Sequence, residues 1–301
     1  MTVDMGDGMY AITEADLPVR FDLDLPTIKT QNDYGNAAFE LLKEAGMLVV
    51  MLVHAIPPEP FERNDAIRRG LIKRLSLLGK SLLSDICHNS GYQQEPLGRQ
   101  IVEAAANYFY LADDDGSGER YDAYVLHTLA EEKANLAIVA EQIRERGGDP
   151  LPIEKRMRRS IERMASAGGY EYDKVPGKAK IDWPKAIDRL ALLSPVAYMP
   201  YRTGSNAIHS GWTALLLRDI EQVEGGFSLE NGPSPAVQSM TSAGIIIAET
   251  AGHYLTVDGS KAEKHWFEAR LEDVVGRIRV LDEAHERFMQ AAENDGPSPK
   301  G

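Results

Sequence analysis

FERNDAIRRGLIKRLSLLGKSLLSDIC, Phe61–Cys87, is the stretch that decides the fold. Its apolar residues Ile67, Leu71, Ile72, Leu75, Leu78 and Leu82 recur every three or four positions. That spacing puts them on one face of an α-helix, whereas a half-buried strand would alternate residue by residue. The same reading extends in both directions. Toward the N-terminus, Asn32 or Asp33 caps a helix running to about Ala55, and Pro57-Pro58 ends it. Toward the C-terminus, a third helix starts near Pro96 and stops before the turn DDDGSG, Asp113–Gly118. A fourth spans about Glu119 to Arg146, carrying Leu126, Leu129, Leu136, Val139 and Ile143, and GGDP at Gly147–Pro150 closes it.

Beyond that turn lies a basic helix, Ile153–Met164, and then a loop rich in Gly, Tyr and Lys, Ala165–Ile181. A short helix is expected near Trp183. A further helical segment runs from Ser194 into WTALLLRDIEQ, and two more helices fit Ser234–Tyr254 and Lys261–Ala292. No run of alternating β-branched residues stands between hairpin turns, and there is no internal repeat. The expected fold is all-α, a multi-helix bundle of about eight helices. Residues 1–30, where acidic residues alternate with Gly and Pro, read as an extended N-terminal arm. Residues 31–292 read as a single all-α domain, and 293–301 as a disordered tail.

Composition narrows the function. The chain has 301 residues, 43% hydrophobic and 26% charged, with a net charge of −13. That acidity argues against non-specific coating of DNA, which needs a basic surface, though it leaves room for a local basic patch. The one dense basic run is Lys155–Arg159, KRMRR, a solvated face or a dock for nucleic acid or an acidic protein. A single cysteine, Cys87, rules out an intrachain disulfide and reads as a buried, inert thiol. No signal peptide is visible. The longest apolar run, Met47–Val53, falls far short of the ~20 residues that span a bilayer. A cytoplasmic protein without membrane association is expected, and neither metal nor cofactor has a motif to bind it.

Two polar stripes carry the candidate chemistry. Arg99, Glu103, Asn107 and Tyr110 are spaced four, four and three, forming one stripe on an otherwise apolar helix. Glu103 there is expected to be mostly buried, and burial demands a partner: Arg99 one turn away, or Arg202 or His209 from a neighbouring helix. The second stripe lies in YMPYRTGSNAIHSGW, Tyr198–Trp212, where Arg202, Ser205 and His209 fall within about 60° of one another on a helix. Pro200 and Gly204 weaken or kink that helix. Tyr198 and Trp212 read as packing, and Tyr201 joins Tyr198 as a binding candidate. Glu103, Ser205 and His209 are expected to converge in one cluster, as a catalytic site or as a packing buttress. The pairs His127–Glu131 and Glu249–His253 have the one-turn spacing that can hold a metal from one helix face, with a solvated or locally bonded face as their default.

Read in order, Arg99, Glu103, Asn107, His127, Glu131, Glu132, Trp183, Tyr198, Tyr201, Ser205, His209 and Trp212 form a pattern similar to an all-helical, mostly bacterial domain of unknown function, DUF5677. The resemblance covers roughly Asp33 to Ile220 and implies a helical fold and no reaction. Arg202 and His209 also resemble the Arg/His signature of HEPN ribonucleases, which implies metal-independent action on RNA, usually across a dimer interface. Two function classes stay open. The first is a non-catalytic or partner-binding helical module, a homodimer belonging to a bacterial defence or stress system. The alternative is a HEPN-like ribonuclease or nucleotide-handling enzyme, in which Arg202 holds a phosphate and His209 moves a proton.

Overall fold

In the computed structural model, residues 16–55, 60–89, 92–209, 212–229, 236–258 and 264–295 are described. Ten α-helices follow one another among them: α1 Gln31–His54, α2 Arg63–Asn89, α3 Gln94–Ala112, α4 Glu119–Glu145, α5 Pro152–Ala167, α6 Ala186–Leu190, α7 Tyr198–Ile208, α8 Trp212–Arg218, α9 Val237–Asp258 and α10 Lys264–Asp295. α6 and α8 are only one or two turns long, so the protein is the expected all-α bundle.

α9 lies at the centre because apolar residues take up most of its circumference. Val237, Met240, Ala243, Ile245, Ile246, Ile247, Ala248, Ala251, Tyr254 and Leu255 are all buried, and a helix with so wide an apolar surface must be packed on most of its sides. α1, α2, α3 and α10 pack around it. The six apolar positions of α2 behave as their spacing requires: Leu71, Ile72, Leu75, Leu78 and Leu82 are buried, and Ile67 packs against the same core.

α1 begins at Gln31 with Thr30 as its cap. The Thr30 hydroxyl accepts from the Asp33 N–H at 3.2 Å, and the Asp33 carboxylate accepts from the Thr30 N–H at 2.8 Å. Asp33 is therefore the third residue of a capping box and not the cap itself. Residues 16–30 lie against α1 and α10. Glu44, only 2% exposed, gathers the Arg277 and Arg270 guanidiniums and the Phe21 N–H, all at 2.8–2.9 Å. Asp273 adds Arg20 and Arg277 to the same network. Burial pushes the Glu44 carboxyl upward, but these hydrogen bonds outweigh it and hold the group below its ordinary value.

α4 and α5 form an arm with its own small core of Leu129, Ala130, Ala165 and Val175. α5 packs against α4 and the short turn Tyr172–Lys174. Arg63 ties the arm to α2, donating to the Asp122 carboxylate at 2.6 Å and the Gly168 carbonyl at 3.0 Å.

Three local expectations are corrected. The helix expected through WTALLLRDIEQ stops at Arg218; Ile220–Val223 (β1) and Gly226–Leu229 (β2) pair antiparallel instead, with Ile220 opposite Leu229. The reason is Glu224-Gly225: Gly225, at φ +85°, makes a turn that other residues resist. The short helix expected at Trp183 begins at Ala186, beyond Pro184. Cys87 is exposed rather than buried, on the outer side of α2 near its C-terminal end. No helix among the described residues is long and apolar enough to cross a membrane.

Candidate functional site

The site grows from the crossing of α3 and α7. The two helices approach so closely that a Cβ on Gly204 would lie 2.4 Å from the Glu95 carbonyl oxygen and 2.5 Å from the Arg99 Cβ. One turn away, a Cβ on Gly98 would sit 3.7 Å from the Pro200 ring. Pro200 falls in the first turn of α7, where its missing N–H costs nothing, so it does not break the helix.

This contact brings one stripe onto the other. The Arg99 guanidinium donates through Nε to Glu103 at 2.9 Å and through Nη1 to the Ser205 hydroxyl at 3.1 Å, and it lies 5.2 Å from the centre of the Tyr201 ring. Arg99, Glu103, Tyr201 and Ser205 therefore form one cluster. Its carboxylate is not sealed: the Glu103 side chain is 37% exposed, which corrects the expectation of burial. The position faces the edge of the α3–α7 crossing rather than its centre. Arg99 alone supplies its ion pair among the described residues.

A second cation completes the site. Arg189 on α6 is buried. It donates to the Pro184 carbonyl and stacks 4.5 Å from the Trp183 ring centre. Burial lowers its pKa, opposed by the Glu103 charge and by the Tyr201 and Tyr110 phenols facing it. Trp183 meets Tyr110 edge-on at 5.2 Å, Tyr124 at 5.4 Å and His127 at 6.0 Å. Arg120 covers the Tyr110 ring at 4.8 Å. Asn107, between Glu103 and Tyr110 on the same stripe of α3, has a buried side-chain oxygen without a hydrogen-bond partner, as has the Arg189 Nε. Burial lowers the His127 pKa against the pull of Glu131, so its imidazole favours the neutral form. Burial raises that of the Tyr124 phenol.

The remaining candidates stand elsewhere. Arg202 is exposed and, among the described residues, reaches only the Tyr198 hydroxyl, at 3.5 Å. His209 is the exposed C-cap of α7 and does not join Glu103 and Ser205, so the expected three-way convergence is only two-way. The reason is the helix face: Gly204 and Ser205 turn toward α3, while Arg202 and His209 turn to solvent. Tyr198 and Trp212, expected to pack inside, are 47% and 58% exposed, and Trp212 meets only the Phe227 ring among the described aromatic residues. Glu249 pairs with Arg279 at 2.6 Å, and His253 packs on Phe109 at 4.8 Å. No group of three or more potential metal ligands occurs among the described residues.

Sequence reasoning missed Arg189, Tyr124 and Arg120 as members of the cluster. Arg189 sits in a five-residue helix too short for any period to mark its face. Tyr124 and Arg120 reach the cluster only because α4 folds beside α3.

The arrangement offers three guanidiniums, those of Arg99, Arg189 and Arg120, one carboxylate and a set of aromatic faces, a chemistry suited to charge-assisted hydrogen bonding and stacking. No curated protein and no solved structure matches the chain. Residues 65–227, more than half of it, match the model of a family of unknown function, and that span holds every member of the cluster just described. The chain belongs to that family, DUF5677.

Proposed function

We propose that the chain is a partner-binding helical module that docks onto a second copy of itself through the face made by α7, α8 and the β1–β2 hairpin. The observation behind this reading is a run of exposed apolar side chains on consecutive elements: Tyr198, Met199 and Ile208, then Trp212 and Leu216, then Phe227 and Leu229, which share one face of the hairpin. Grouped exposure of this kind marks interaction surfaces. The hairpin supports a like partner. Two strands alone are marginal in water, and this pair leaves nearly every residue exposed. A two-fold axis sets the same patch against itself and buries both hairpins. The tie to a bacterial defence or stress system is part of the proposal and rests on the HEPN-like pair. Sedimentation velocity tests the module: the wild type should be a dimer at micromolar concentration, and Trp212→Asp with Phe227→Asp should be a folded monomer. A wild type that stays monomeric at every concentration reached refutes the reading.

A second reading, a metal-independent ribonuclease, is favoured by one observation. Arg202 and His209 stand two turns apart on the exposed side of α7, within that same apolar face and without a carboxylate partner among the described residues. In this reading Arg202 clamps a phosphate. His209 takes the proton of an RNA 2′-hydroxyl as its oxygen bonds to phosphorus, and the 5′-oxygen leaves with a proton returned to it. Incubation with RNA in the presence of chelator tests it. Cleavage should vanish in Arg202→Ala and His209→Ala and fall in Arg202→Lys, while intact RNA with the wild-type dimer leaves the module alone.

A further inference from the structure

α5 concentrates basic side chains. It holds Lys155, Arg156, Arg158, Arg159 and Arg163 against Glu154 and Glu162, in a chain whose net charge is −13. Arg158 is neutralised by Glu162 at 2.8 Å, and Glu154 is taken by Arg146 at 2.5 Å. Among the described residues Arg156 and Arg163 have no carboxylate partner, and Arg159 bonds only the Lys155 carbonyl of its own helix, at 3.3 Å. Arg156, Arg159 and Arg163 share one exposed face and, with Glu162 and Ser166, line a shallow cavity of about 580 Å³. Along the helix they span about 10 Å.

We propose that this face binds the phosphodiester backbone of a nucleic-acid strand. Three features favour that occupant over an acidic protein. The cavity is lined by charged and hydroxyl side chains alone, whereas a protein interface needs an apolar anchor at its centre. The exposed Ile153, Met157 and Met164 stand on a different stripe of the helix and not in the cavity. The cations are arginines, whose planar fork matches phosphate oxygens in pairs. A row of such side chains that makes no base-edge contact holds a strand by its phosphates and is indifferent to sequence. The acidity of the rest of the molecule confines binding to this arm, so the surface tracks one strand instead of coating nucleic acid. The proposal is independent of the α7 face and stands or falls separately from the dimer.

Fluorescence anisotropy with a labelled single-stranded oligonucleotide of mixed sequence, RNA in one arm and DNA in the other, tests it on the full chain. The wild type should bind, with affinity falling steeply as salt rises. The combined variant Arg156→Gln, Arg159→Gln, Arg163→Gln should lose affinity by roughly ten-fold or more at low salt, and its log–log salt slope should flatten by about 2, the release expected for three phosphates of a single strand. Its helical spectrum and thermal midpoint should match the wild type, and Arg287→Gln on α10 should bind normally. Should the combined variant misfold, Arg156→Gln and Arg163→Gln are to be measured singly, each expected to weaken binding several-fold. Equal preference for RNA and DNA supports backbone recognition. Absence of binding at low salt, undiminished binding by a folded variant, or displacement of the strand by polyglutamate at equal charge concentration overturns the proposal, the last in favour of an acidic protein partner.

Discussion

Gly204 shows how much one missing methyl group controls. With a Cβ there, the Glu95 carbonyl and the Arg99 Cβ would lie inside contact distance, and neither is a flexible chain end that can swing away. Gly204→Ala should therefore push α7 off α3, destabilising the fold by about 1–3 kcal/mol, the range for overpacking a tight contact. It should also release Ser205 from Arg99. A thermal midpoint equal to wild type would mean that α7 is not seated as described. His285 makes a second prediction at this scale. Its ring is 1% exposed, with Nδ1 facing the Gln238 amide at 3.2 Å and Nε2 facing the Gln31 side-chain oxygen at 2.8 Å. That pattern fits the neutral ring with the proton on Nε2, and burial lowers its pKa below the ordinary 6.5. A histidine with a depressed folded pKa contributes stability that is complete above the unfolded value and is lost as the unfolded chain takes up the proton. Stability should fall as pH drops below about 6.5, and His285→Gln should flatten that part of the pH–stability curve.

At the scale of elements, α1, α10 and the strand of chain before them are joined by one buried charge. Removing the Glu44 carboxylate leaves Arg277 and Arg270 without their common partner in a place from which water is excluded. Glu44→Ala should cost about 3–5 kcal/mol, the usual consequence of breaking a buried ion pair from one side. Urea denaturation measures it, and a loss under about 1 kcal/mol would mean that the arginines find other partners. The acid side follows from the same group. Its folded pKa is depressed below 4.5, so its contribution is present above that pH and is lost as pH falls through the folded value. Asp273, also held down by Arg20 and Arg277, adds to the loss over a window starting nearer 3.8. The wild type should therefore unfold in acid at higher pH than a variant in which the network is replaced by apolar side chains.

The whole molecule divides by how each part is held. α9 is enclosed by four helices, while the α4–α5 arm joins the bundle through the first turns of α4, where Arg120, Tyr121 and Tyr124 pack, and through Arg63, and its outer part rests on a small cluster of its own. Amide hydrogen exchange should be slowest in α9 and distinctly faster along α5 and the outer half of α4, since opening the arm exposes little apolar area. Protection in α5 equal to that in α9 would mean that the arm and the bundle unfold as one unit. The family span ends at residue 227, so α9 and α10 lie beyond it and α1 lies before it, yet they form the core on which its helices rest. A fragment limited to residues 65–227 would expose the faces of α2 and α3 that pack against α1 and α9, and it should aggregate or stay unfolded.

The sequence by itself determined what depends on neighbours along the chain. Helices of three turns or more announce themselves through apolar spacing, as α2 does, and their ends through Pro, Gly and capping residues, as at Gly147–Pro150. The ion pair from Arg99 to Glu103 was legible for the same reason, since one helical turn joins them. Only the tertiary structure decided matters between distant segments: which side of each stripe meets another helix, and how deep it lies. Ser205 joins Arg99 because Gly204 lets α7 settle onto α3, and Arg189 enters because a five-residue helix, too short to show a period, delivers it there. His209 and Arg202, on the same sequence stripe as Ser205, were left in solvent. The arc they share is about as wide as a helix–helix contact, and a small rotation of α7 determines which of the three is covered.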